Sequence, residues 1–199
     1  MKDMTIKEVS DIMDYNDVNK LIEIVLENNS FLVDNIIPEF ITIADLKYLL
    51  TCLIREQVSV KNIIYLFEKI NDYANEPTKE DLLDKVRLAF SKLIIKDLAK
   101  DGEINVIEFS DETLEKVDSF FDSEDGENII RIEACDVQEI ANNINKLAKK
   151  KKLEVPILAV PMDIRHMCFV ILSEFVPNLR VLACEELVSD FNIKFIGRV

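Results

Sequence analysis

A chain of 199 residues, 49% hydrophobic and 31% charged, is long enough for one domain with a full core or two small ones, and its balance is that of a globular protein. The formal net charge of −14, from 24 basic and 38 acidic residues, argues against nucleic acid as a partner, because that binding rests on neutralising phosphates. No apolar run approaches the roughly 20 residues that span a bilayer, and Met1-Lys2-Asp3-Met4 opens a polar segment without a signal-peptide pattern, so a soluble piece is expected.

Residues 1–13 read as a leader. Asp14, with Asp17 three residues on, forms a weak capping box for a helix whose apolar face is Val18, Leu21, Ile22, Val25 and Leu26. Asn28-Asn29-Ser30 ends that helix, and Phe31 to Ile37 makes a short second one closed by Pro38. Thr42 caps a third helix, with Asp45 at its third position and Leu46, Leu49, Leu50, Leu53 and Ile54 on one stripe. An elbow, Arg55 to Ile63, follows, and Ser59 is the expected N-cap of a fourth helix from Val60 to Ala74. After the turn Asn75-Glu76-Pro77, Thr78 caps a fifth helix carrying Leu82, Leu83, Val86, Ala89, Phe90, Leu93 and Ile94. The pattern predicts an all-helical subdomain over 14–100, its helices stacked as a short right-handed superhelix.

At Asp101-Gly102 the period changes from helical to alternating. Glu103 to Phe109 reads as a strand, Ser110 caps a helix to Phe121, Asp122 to Glu127 reads as a loop, and Asn128 to Glu133 as a second strand. A long helix from Asp136 to Lys150 ends in a cluster of lysines, the charge favoured at a helix C-terminus. Pro156 to Val160 is a continuous apolar run, hence a buried central strand; Met162 to Phe175 is helical; Leu179 to Cys184 and Asn192 to Ile196 are strands. Residues 101–199 therefore form a small α/β subdomain, expected to have a mixed sheet with a right-handed βαβ unit at its end.

Little in the chain points to catalysis. Three glycines (Gly102, Gly126, Gly197) leave no phosphate-cradling loop, and His166 is the lone histidine, with no nucleophile in a recognisable pattern. The cysteines Cys52, Cys135, Cys168 and Cys184 lack C-x-x-C or zinc spacing and are expected as small buried hydrophobes in a reducing compartment. The carboxylates Asp122, Glu124 and Asp125, like Glu185-Glu186, read as solvated clusters rather than cation sites. Phe31, Phe67, Phe90 and Phe169 fall on helical apolar faces and are expected in the core. Residues 101–127 hold 11 acidic side chains against Lys116 alone, a solvated face or a docking surface for a basic partner, and the lysines after residue 145 are candidates to answer that charge.

Six segments in order carry a resemblance. Asp17 to Ile22 is similar to (D/E)-V-x-x-L-(L/I), and Ile37 to Leu46 to V-P-x-x-(L/V)-(T/S)-L-x-x-L. The elbow Arg55-Glu56-Gln57-Val58-Ser59-Val60-Lys61-Asn62-Ile63 resembles E-x-V-(S/P)-I-R-D, with Lys61-Asn62 in place of Arg-Asp. Val86 to Phe90 looks like V-R-x-A-L, Val155 to Arg165 like P-V-L-(L/V)-x-(S/x)-P-x-(I/L)-R, and Phe175 to Leu187 like x-L-P-x-L-x-V-L-S-x-x-E-(I/L). Together they resemble the C-terminal cytoplasmic region of the type III secretion export-gate family, the FlhA-like proteins of the flagellum and their injectisome counterparts.

That resemblance implies an interaction protein and not an enzyme, with no cofactor and no metal. It implies a homo-oligomeric ring of nine in the full-length protein, docking of export chaperones with their substrates, and contact with components of the ATPase complex. Family members carry an N-terminal membrane domain and two further cytoplasmic subdomains, so these residues are expected on the cytoplasmic side of the inner membrane, as a fragment that is monomeric in dilute solution. Carried over by position, Arg55, Glu56, Lys61 and Arg87 are expected as exposed contact residues near the ring interface. Flagellar use is favoured over injectisome use, and the alternative is a free-standing adaptor that binds a basic protein through 101–127.

Overall fold

The computed structural model describes residues 13–124 and 127–199. The expected leader, save Met13, therefore lies outside the described residues, as do Asp125 and the side chains of the carboxylate group around it. The chain divides into two compact units, Met1–Ile94 and Ile95–Val199.

The first unit is helical. Helix α1 (Tyr15–Asp34) starts at an Asp14 capping box: the Asp14 carboxylate accepts from the Asn16 and Asp17 amides at 2.8 and 2.9 Å, and Asp17 answers the Asp14 amide at 3.3 Å. The expected break at Asn28-Asn29-Ser30 is a kink within this one element, at Asn29 (φ −141°, ψ 44°). Val18, Ile22 and Val25 face inward, whereas Phe31 is 58% exposed and does not belong to the core. The kink turns Phe31 outward and hands the buried role to Leu32 and Val33.

Helix α2 (Ile43–Arg55) begins at the expected Thr42–Asp45 box and buries Leu46, Leu49, Leu50 and Leu53. Helix α3 (Ile63–Tyr73) starts three residues later than expected, because Asn62, not Ser59, is its N-cap, accepting from the Tyr65 amide at 3.2 Å. Helix α4 (Lys79–Leu98) starts at Thr78, whose hydroxyl accepts from the Asp81 amide at 3.0 Å. Helix α1 packs against both α2 and α3.

The second unit takes in the last turn of α4 and then makes a tight reversal. Lys100 and Glu103 exchange two backbone hydrogen bonds of 2.9 Å across Asp101 (φ 52°) and Gly102 (φ 78°), a turn that needs left-handed backbone at both central positions. Strand β1 (Glu103–Glu108), helix α5 (Asp111–Asp118), the hairpin β2 (Phe121–Glu124) and β3 (Glu127–Ile130), helix α6 (Ala134–Lys151), β4 (Ile157–Val160), α7 (Met162–Leu172), β5 (Arg180–Ala183), a short 3-10 turn (Cys184–Glu186) and β6 (Asn192–Arg198) follow.

The main sheet has the order β5-β4-β1-β6 and is parallel throughout, not mixed as expected. The antiparallel pairing falls instead in the separate hairpin, where Phe121 faces Ile130 and Glu124 faces Glu127; residues 121–124 are strand rather than loop. The eight residues from Cys184 to Phe191 do not turn back beside β5. Extended, they reach about 27 Å, and they carry the chain to the opposite edge, where Asn192 pairs with Glu103 and Lys194 with Asn105. Strand β4 is buried at all four positions, as its unbroken apolar run requires, and with β1 it anchors a core of Ile107, Ile140, Ile144, Leu158, Cys168 and Leu172. No helix among the described residues is long and apolar enough to cross a membrane.

Candidate functional site

The elbow between α2 and α3 is held from three directions. Its first half closes α2 with a Schellman motif: the Val58 amide bonds the Leu53 carbonyl at 2.8 Å and the Gln57 amide the Ile54 carbonyl at 2.9 Å, with Gln57 left-handed at φ 58°. Val58 and Leu53, at the two positions between which this motif often carries an apolar contact, are both buried. The Gln57 side chain is exposed, and no glycine marks this left-handed position in the sequence.

The second hold is ionic. Arg87 on α4 places Nη1 2.6 Å from Glu56 Oε2, and both side chains are 2% exposed. These two residues, expected on the surface, are thus structural. Glu56 follows the last turn of α2 and points inward; Arg87 lies on the same buried stripe as Leu83, Val86 and Phe90. Each compensates the other's desolvation, which neither could survive alone. Of the four expected contact residues, Lys61 is exposed and Arg55 half-buried, and these two remain available at the surface. The helical spacing of Arg87 with the apolar positions of α4 is the sequence signal that would have placed it inside.

The third hold joins α4 to the helices flanking the elbow. The Tyr65 hydroxyl donates to the Ala89 carbonyl at 3.2 Å and its ring tilts against Phe90 at 5.0 Å. At the start of α4, Lys79 Nζ is 2.7 Å from Asp45 Oδ1 and the Tyr48 hydroxyl donates to Glu80 at 3.0 Å. The Lys79 ammonium, with the Thr42 hydroxyl and amide, holds the Asp45 carboxyl down to about 2. The surface of this unit also carries exposed apolar side chains: Tyr15, Ile24, Phe31 and Phe40, each roughly half accessible.

In the second unit the acidic stretch is partly answered from within. Glu103 pairs with Lys194 and Glu108 with Arg198 (2.9 Å), whereas Lys116, the one cation of the stretch, is held by Glu139 (2.6 Å) and Asp136 (3.3 Å) outside it. Among the described residues, the lysines at the end of α6 pair with none of its carboxylates. Two cysteines are buried as expected, Cys52 and Cys168, but Cys135 and Cys184 are exposed. Burial pushes the Cys168 thiol up to about 12. The Cys135 thiol donates to Glu133 at 3.4 Å, and with Asp136 these form a small exposed group of potential ligands. Glu186, expected solvated, is 1% exposed and accepts from the Ala183 amide at 2.8 Å, closing the 3-10 turn. His166 sits half-buried on α7.

A helical unit followed by a small parallel α/β unit defines the class of fold, and the comparisons place it in a family. A model of the FHIPEP family matches residues 1–192, and the chain belongs to that family. Flagellar biosynthesis protein FlhA of Bacillus subtilis (strain 168) is 28% identical over 188 residues, covering 92% of this chain and 28% of the relative. FlhA of Caulobacter vibrioides is 21% identical over 197 residues, covering 97% of the chain and 28% of the relative. The chain thus spans under a third of the curated relatives it matches. Among solved structures, the Shigella flexneri MxiA protein superposes with a TM-score of 0.85 at 18% identity, covering 98% of this chain and 62% of that one. The nonameric SctV-C of enteropathogenic Escherichia coli gives 0.84 at 16%, covering 98% and 59%. The chain carries the fold of the C-terminal domain of type III export-gate proteins.

Proposed function

We propose that this chain is the cytoplasmic part of a flagellar export gate, contributing to ring assembly and docking export chaperones with their substrates beneath the inner membrane. The observation that carries the reading is the family match across residues 1–192, joined to a fold shared with a domain that assembles as a nonamer in SctV-C. A neighbour, Chlamydia pneumoniae CdsV, has been solved in complex with CdsO, which supports a partner-binding role for this fold. The protein acts by binding and catalyses no reaction. The FlhA relatives favour the flagellar over the injectisome form. Arg55 and Lys61 are the elbow residues that take part in contacts between neighbours; Glu56 and Arg87 shape the elbow from inside.

The test is capture of the host's export chaperones and ATPase-complex components by the purified chain, with light scattering on the same sample. Specific capture of an export chaperone or an ATPase-complex component supports the reading, with the isolated chain scattering as a monomer. Capture of none of them overturns it. Arg55→Glu with Lys61→Glu, placed in the full-length protein, is expected to weaken ring assembly while leaving the helix content unchanged.

A further inference from the structure

The end of α6 holds five lysines in seven residues: Lys146, Lys149, Lys150, Lys151 and Lys152, all exposed. Among the described residues none of the five makes an ion pair, in a chain whose formal charge is −14. The helix dipole favours cations in a last turn, but one or two satisfy it. Five lysines this close repel one another, and Lys146 and Lys150, four residues apart, form a like-charge pair on one helix face.

That face opens onto a groove. A cavity of about 470 Å³ lies along α6 and α5, lined by Lys146, Lys150, Lys116 and Arg198, by the carboxylates of Glu112 and Glu139, and by the apolar Ile140 and Leu147. Lys116 and Arg198 are already held by Glu139 and Glu108, so Lys146 and Lys150 are the charges left to a visitor. Lys146 and Lys150 beside the apolar Ile140 and Leu147 fit a segment that alternates acidic and apolar residues, its carboxylates reaching the two lysines and away from Glu112, and a concave site fits a chain better than a flat charged surface.

We propose that this groove is a docking site for an acidic, partly apolar peptide segment of a partner protein, with Lys146 and Lys150 as its charge-reading residues. The site is separate from the elbow, and its test does not depend on the export-gate reading. The probe is a fluorescein-labelled peptide of Glu-Glu-Leu repeats, titrated with the whole chain and followed by anisotropy at low and at physiological salt.

Saturable binding is expected, weakened about tenfold or more by Lys146→Glu with Lys150→Glu and weakened by salt. Lys92→Glu with Lys96→Glu places the same charge change at the same spacing on α4 and is expected to leave the affinity within about twofold. Circular dichroism confirms that both variants fold. Equal loss in the two double variants overturns the proposal, because the effect is then net charge alone. So does the absence of saturable binding. Two further results overturn it in favour of another occupant: Lys146/Lys150-dependent binding to phosphatidylserine vesicles without peptide binding, or Lys146/Lys150-dependent self-association by light scattering.

Discussion

Arg87 Nη1 and Glu56 Oε2 meet at 2.6 Å with both side chains 2% exposed, and this pair ties the fourth helix to the turn that ends the second. Removing one partner strands a charge that the fold keeps from water. Arg87→Met is therefore expected to cost about 3–5 kcal/mol in the helical unit, read by hydrogen exchange of the α2 amides. Glu56→Leu combined with Arg87→Met recovers most of the loss, since apolar residues of similar volume tolerate the same site. A single variant that costs under about 1 kcal/mol would show that the pair is solvated in solution.

Acid should loosen the start of the second helix late rather than early. The Asp45 carboxyl is held at about 2, below the ordinary 3.8, chiefly by Lys79 and then by Thr42. A group depressed on folding adds stability that is present above its unfolded value and is lost as pH falls through the folded one. Wild type is expected to lose this contribution between about pH 4 and pH 2. Asp45→Asn lacks it at neutral pH and shows a flatter profile through that window. A thermal-melting series from pH 7 to pH 2 reads both, and parallel profiles would assign the cap no electrostatic part.

The four cysteines should divide into two classes. Cys135 and Cys184 are exposed, while Cys52 and Cys168 are buried. An aromatic disulfide reagent at pH 8 is expected to label two thiols in the native protein and the other two only on unfolding. The accessible pair should still react slowly, because a hydrogen bond to Glu133 raises the Cys135 thiol and partial desolvation at the surface raises that of Cys184. Their rate increases with pH as thiolate forms. Cys168→Ser should leave the native count at two.

How much of this was legible from residues alone follows the range of the forces involved. Local chemistry was: Asp14, Thr42, Thr78 and Ser110 all cap helices, and Asp101-Gly102 marks the change of period at a real reversal. Pro156 to Val160 is buried because an unbroken apolar run has no polar face to show. What depended on long-range pairing was not. The mixed sheet failed because the antiparallel strand closes its own hairpin and never joins the sheet. At the elbow, charge alone points to exposure, and the structure buries it. Glu56 and Arg87 look like surface residues singly, and only their meeting across 31 positions makes burial affordable. Ser59 is not the cap; Asn62 holds that position, its side chain accepting from the Tyr65 amide.

That turn yields the sharpest backbone prediction. Gln57 sits at φ 58° with an exposed side chain, so its conformation costs energy that no side-chain contact visibly returns. Glycine adopts this region freely and keeps the amide that bonds Ile54. Gln57→Gly is therefore expected to stabilise the helical unit by about 0.5–1 kcal/mol, the relief of left-handed strain exceeding the added freedom of the unfolded chain. Gln57→Val, branched at Cβ, should cost about 1 kcal/mol or more at the same exposed position. Urea unfolding of the two variants beside wild type separates them. If glycine destabilises and valine does not, the second helix does not end in a left-handed turn in solution, and the hold of the Schellman motif on the elbow falls with it.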